Sequence, residues 1–133
     1  MDSRDHLLKS VRGETIGIVT SDSSADETFQ NQTIRPILKL QNDLFIEVFK
    51  NYISKYKDDF HSYSVDKKLA YIENAVQKDI KFRNSLKGII IGLFTIAEYD
   101  IYIGNSSNLN KRMMNMLVER LKSQVQLFEK DIA

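Results

Sequence analysis

Between Ala25 and Phe60 the apolar residues recur at intervals of three and four, a spacing that places them on one surface only in an α-helix. Ile37, Leu40, Leu44, Val48, Tyr52 and Tyr56 form one row, and Leu38, Phe45, Phe49, Ile53 and Phe60 form a second beside it. Two rows cover nearly half of a helix, more than one antiparallel neighbour buries, so the stretch is expected to be a central helix touching at least two others. Leu44, Val48 and Tyr52 are then expected among the most buried positions. Pro36 lacks an N–H and disfavours helix at Arg35, which predicts a kink or break there, with Thr33 as a cap for the restart.

The same periodicity continues downstream. Ser64 opens a helix with Val65, Leu69, Ile72, Val76 and Ile80 on one stripe. Beyond Ile80 the stripe shifts to Phe82, Leu86, Ile89 and Leu93, because continuing the old phase would bury Arg83 and Lys87. A break or kink between Asp79 and Ser85 follows. Thr95 and Glu98 have capping-box spacing and open a short helix that Gly104 closes in the left-handed region. A last helix runs from Asn108 to about Lys130, with Met113, Met114, Leu117, Leu121, Val125 and Phe128 on its apolar side.

The N-terminal part reads differently. His6–Val11 is a short helical turn closed by Gly13, and Glu14–Thr20 is β-branched and extended. A polar loop follows, in which Ser24 and Glu27 resemble a capping box. The expected organisation is an N-terminal arm and loop over residues 1–23 and a helical bundle over 24–133. The fold class is all-α: about five helices in a bundle with a short N-terminal extended arm. One proline and five glycines in 133 residues suit such a fold better than a turn-rich β one.

Several function classes are excluded or weakened. With no cysteine there are no disulfides, thiolate metal sites or cysteine nucleophiles. Neither histidine, His6 or His61, has metal-ligand or triad spacing, and Asp58-Asp59-Phe60-His61 reads as a polar helix terminus. No serine lies in a nucleophile-elbow motif, and Arg12–Gly17 lacks the Gly-Lys-Ser/Thr ending of a phosphate loop. No catalytic residue, metal ligand or cofactor is assigned. The chain carries 19 basic and 18 acidic residues. Its first half is acidic and its second basic, but the basic residues spread around their helix, which argues against nucleic acid. The longest apolar run, Ile89–Ala97, is under half a membrane span, and no secretory leader is evident, so a cytoplasmic location is expected.

Two features point to recognition. Gly88 and Gly92, four apart within a helix, imply close helix approach or room for a ligand. A ligand pocket there would be walled by Tyr71, Phe82, Tyr99 and Tyr102, together with Phe94. In the last helix Met114, Leu117, Leu121, Gln124 and Phe128 step like a coiled-coil seam. Arg120 and Gln124 lie inside that apolar arc, and a polar group there needs a partner or a rim, as a subunit interface supplies.

The stretches Gln30-Asn31-Gln32-Thr33-Ile34-Arg35-Pro36-Ile37-Leu38-Lys39-Leu40-Gln41-Asn42-Asp43 and Leu109-Asn110-Lys111-Arg112-Met113-Met114-Asn115 resemble a family of short, uncharacterised, all-helical bacterial proteins. The resemblance covers most of the chain after Gly13, and some members carry the label glyoxalase. Glyoxalase-type enzymes use paired βαβββ modules with His, Glu and Gln ligands, a pattern absent here, so the resemblance implies no catalytic residues. The reading favoured is a non-enzymatic, homo-oligomeric interaction module, with itself as partner in a twofold dimer and another protein as a further possibility. The alternative is a small-ligand-binding protein or enzyme with a pocket beside Gly88 and Gly92.

Overall fold

The computed structural model describes residues 2–17, 20, 23–55 and 59–128. Eight α-helices follow in order: α1 (Asp2–Arg12), α2 (Ala25–Phe29), α3 (Arg35–Leu40), α4 (Asn42–Lys55), α5 (Val65–Lys78), α6 (Ile80–Ile91), α7 (Ile96–Ile103) and α8 (Ser106–Ser123). A π-turn, Gln30–Ile34, joins α2 to α3 without a break, so the described residues form seven separate helices, against the expected five or so. Short 3₁₀ turns at Phe60–Ser62 and Val125–Phe128 complete the set, and no strand occurs among the described residues.

Several helix starts obey their local sequence. Ser24, Ser64 and Asp79 each accept a hydrogen bond from the backbone N–H three residues on, and Thr95 with Glu98 forms a reciprocal capping box. Asp79 is extended, with φ −80° and ψ 101°, and it alone separates α5 from α6. The expected break is therefore one residue wide, and Lys81–Ser85 is helical. Ile80 is exposed while Leu86 is buried, which accounts for the shift in phase. Gly13 does close α1 in the left-handed region at φ +79°. Gly104 does not: its φ of −74° lets α7 run directly into the turn before α8.

The helix is not broken at Pro36. The irregularities flank it, the π-turn before and Gln41 after, where φ −91° and ψ 6° end α3. That interruption rotates the apolar rows. Phe45, Phe49 and Ile53 face the core, whereas Leu40 and Leu44 are more than 40% exposed and Val48 and Tyr52 only partly covered. Leu44 is thus not a core residue, and Tyr56 lies outside the described residues. Phe49 instead centres an aromatic cluster, with ring centroids 4.8 Å from Phe128, 6.2 Å from Phe60 and 6.3 Å from Tyr71. The last helix, α8, packs against α5, α6, α7 and the π-turn.

The proline has a second consequence. In the π register Arg35 N–H bonds Gln30 O, and the next donor would be the nitrogen of Pro36, which carries no hydrogen. Asn31 O accepts instead from Ile16 N–H at 3.0 Å, and Gln32 O accepts from Arg12 Nη2 at 3.3 Å. The carbonyl that proline leaves open, Asn31 O, is one on which the N-terminal segment docks. Gly17 allows that approach: its φ is +101°, and a Cβ there would sit 2.9 Å from the Asn31 side chain. Ile18 and Val19, also assigned to the extended arm, lie outside the described residues.

Candidate functional site

Two arginine environments distinguish the surface, and both depend on the α2–α3 stretch. The first belongs to α1. Arg4 donates to Gly92 O and Phe94 O, and Arg12 Nη1 to Leu93 O, so α1 satisfies carbonyls at the end of α6. Asp5 accepts from Ile96 N–H at the start of α7. Arg12 also forms a two-pronged ion pair with Glu98, at 2.5 and 2.7 Å, with side chains 4% and 12% exposed. Thr33 donates to the same carboxylate at 2.7 Å and Thr95 N–H at 2.8 Å. Thr33 is therefore not a helix cap but part of a buried network. Burial pushes the Glu98 carboxyl up, but the hydrogen bonds from Arg12, Thr95 and Thr33, with the Arg12 charge, outweigh it and hold the group below its ordinary value. A polar depression of about 550 Å³ beside the pair is lined by Lys9, Arg12, Glu14, Gln32 and Glu98, so its two cations are balanced in number by two acids, of which Glu98 is paired with Arg12.

The second environment is a cleft of about 600 Å³ between α3 and the end of α8, with the N-terminal segment along one side. Arg35, on the first turn of α3, and Arg120, on the last turn of α8, both line it. Ile16 and Met116 contribute apolar surface above the buried Leu38; Asn115, Glu119, Ser123 and Gln124 contribute polar groups. Asn42 and Gln124 exchange two side-chain hydrogen bonds, each 2.8 Å, which tie the start of α4 to the end of α8. Arg120 Nη1 reaches Asn42 Oδ1 only at 3.4 Å. Arg35 makes no hydrogen bond or ion pair, and neither arginine meets a carboxylate within salt-bridge distance, among the described residues. Burial and the neighbouring Arg35 guanidinium both push Arg120 below its ordinary pKa, so the two cations repel across the cleft.

The residues singled out in the sequence divide. Of the proposed interface set, Met114, Leu117, Leu121 and Phe128 are at most 1% exposed, covered by the chain's own helices. Arg120 and Gln124 are the members that reach the surface. They meet in the Arg35 cleft, with Asn42 as the polar partner within the same chain. The proposed pocket residues do not converge. Gly88 is exposed and a Cβ on it would meet nothing within 4 Å, so it is not a site of close helix approach. Gly92 caps α6 and lends its carbonyl to Arg4. Tyr71 and Phe82 join the aromatic cluster around Phe49 and Tyr52, while Tyr102 is buried and donates to Asn110. Tyr99 is exposed.

Sequence reasoning missed Arg35 altogether. A signal existed in Arg35-Pro36, a cation fixed at a helix start, but sequence gives no sign that Arg120 lies opposite it. No group of three or more His, Asp or Glu side chains suited to a metal occurs among the described residues, and no helix there is long and apolar enough to cross a membrane. No family model, curated protein or solved structure matches the chain.

Proposed function

We propose that the protein is a small-ligand-binding helical module that holds an anionic group between Arg35 and Arg120. The observation that carries the reading is the pair of guanidiniums lining one cleft, neither ion-paired among the described residues, with the single carboxylate of Glu119 set against their two charges. Like charges brought together in a folded chain cost free energy, and that cost is recovered when an anion is bound. The cleft's mixture of apolar wall and a few directed polar groups is the usual make-up of a ligand site. Rigid placement supports it: Asn42 and Gln124 fix the end of α8 against α4, and Pro36 fixes the start of α3. The test is a two-dimensional NMR titration with sodium acetate. Shifts at the guanidinium resonances of Arg35 and Arg120 and at the Gln124 amide are expected, with Arg12 unmoved. Shifts confined to Arg12, or none at millimolar acetate, would defeat the reading.

A second reading, self-association as a twofold dimer, has its own support in α7. Ile96, Tyr99, Ile101 and Ile103 are all 45–58% exposed on this eight-residue helix. Ile96, Tyr99 and Ile103 share one face at helical spacing, an apolar stripe of the kind that pairs between subunits. Sedimentation equilibrium separates this reading from a 15.4 kDa monomer. Ile96→Glu with Ile103→Glu should dissociate the dimer without unfolding it, since both side chains are exposed; a dimer that persists in that variant is not built on α7.

A further inference from the structure

The reading above names a charge but not a ligand, and the cleft's walls narrow the choice. Resting on that reading, we infer that the cleft takes an amphiphilic monoanion: a carboxylate attached to an apolar chain. Three observations converge on it.

The first is charge. Arg35, Arg120 and Glu119 are the charged side chains lining the cleft, which leaves one positive charge in excess. A singly charged carboxylate neutralises that excess, whereas a phosphate dianion would overshoot it and face the Glu119 carboxylate. Planar guanidiniums also match the two oxygens of a carboxylate geometrically.

The second is the apolar wall. Met116 and Ile16, both partly exposed and from different segments, border the same cleft as the cations, above the buried Leu38. An anion without a chain would leave that surface wet. The unbranched thioether side chain of Met116 adapts to chains of differing shape.

The third is the origin of Ile16. It lies on the segment after α1, held by its own N–H on Asn31 O and by the close approach of Gly17 to the Asn31 side chain. The segment therefore places an apolar residue against the cleft while its backbone is anchored on the far side of the π-turn. Ile16 is a positioning and specificity residue in this scheme, and the arginines are the binding residues.

The experiment is isothermal titration of the full chain with acetate, octanoate, 1-octanol and inorganic phosphate. Octanoate adds six methylenes to acetate, and burying about three of them at roughly fourfold each predicts binding on the order of 50-fold tighter. Octanol and phosphate are both expected to bind more weakly than octanoate. Ile16→Ser should weaken octanoate several-fold while leaving acetate unchanged, and Arg35→Gln and Arg120→Gln should weaken both anions. Equal affinities for acetate and octanoate would overturn the inference about the chain while leaving anion binding intact. Octanol binding as tightly as octanoate, or phosphate binding more tightly, would also overturn it. Failure of every anion to bind would remove both this inference and the reading beneath it. Circular dichroism of each variant excludes loss of fold as the cause.

Discussion

Arg12 and the pair Arg35 and Arg120 are the same residue type in opposite settings. Arg12 is buried, bonded through both terminal nitrogens to Glu98, and surrounded by backbone carbonyls. Arg35 and Arg120 sit around an open cleft with amide and hydroxyl neighbours and the Glu119 carboxylate, and no ion-pair partner among the described residues. The first arrangement spends its charge inside the fold, joining α1, the π-turn and α7. The second keeps its charge unspent. The contrast teaches that a site is marked less by which residues are present than by which interactions the fold leaves incomplete.

The largest effect expected is on the structural side. Glu98→Gln or Arg12→Leu should cost about 3–5 kcal/mol in urea denaturation, because either change strands a buried charge. Arg35→Gln should cost less than about 0.5 kcal/mol, as changes away from buried networks usually do. Similar costs at Arg12 and Arg35 would erase the distinction.

Acid sharpens the same comparison. The Glu98 carboxyl is held below its ordinary value in the folded protein, so the unfolded chain binds its proton first as pH falls. The stability it contributes is present above the unfolded value, about 4.3, and disappears as pH drops through the lower folded value. The gap between wild type and Glu98→Gln should therefore hold constant from about pH 6 to 8 and shrink below about pH 4.3. A gap that widened on acidification would contradict the network as described.

A smaller effect is expected where the N-terminal segment docks. Gly17→Ala places a Cβ against Asn31 in a left-handed conformation, costing about 1 kcal/mol or somewhat more. The hydrogen exchange of the Ile16 amide should accelerate while α8 amides stay protected. Unchanged Ile16 protection would mean that the segment is not held through Asn31.

The smallest effect is in the opposite direction. Arg120→Gln removes one of two repelling cations, so between no change and a gain of about 0.5 kcal/mol is expected at low salt. The gain should fade as salt screens the pair.

How much of this was legible in the sequence depends on the range of the interactions. Caps act over three residues, so Ser24, Ser64 and the Thr95–Glu98 box were readable, whereas Asp79 was marked only as the edge of a break. The core row of α8 was readable as far as Leu121, but the helix ends at Ser123 and not near Lys130, and Phe128 reaches the core from the 3₁₀ turn that follows. The row Leu40, Leu44, Val48 and Tyr52 was misplaced because a single non-helical residue, Gln41, turns the phase, and no proline or glycine announces it. Pro36 did announce itself, but its effect was to free the Asn31 carbonyl for Ile16, distant in sequence, which local rules do not register. Arg120 was rightly conspicuous within an apolar arc. Its partners, Asn42 and the cleft facing Arg35, are about eighty residues distant in sequence and became visible only in three dimensions.

The central claim is that Arg35 and Arg120 are placed for a ligand and not for the fold, and thermal melts of wild type and Arg120→Gln, each with and without saturating octanoate, test it most directly. Without octanoate the variant should melt at or slightly above wild type; with octanoate wild type should rise by several degrees and overtake it, since binding to the native state stabilises in proportion to affinity. A variant that melts well below wild type without ligand, and shifts equally with it, would show that Arg120 serves the fold and that the cleft is not its site of action.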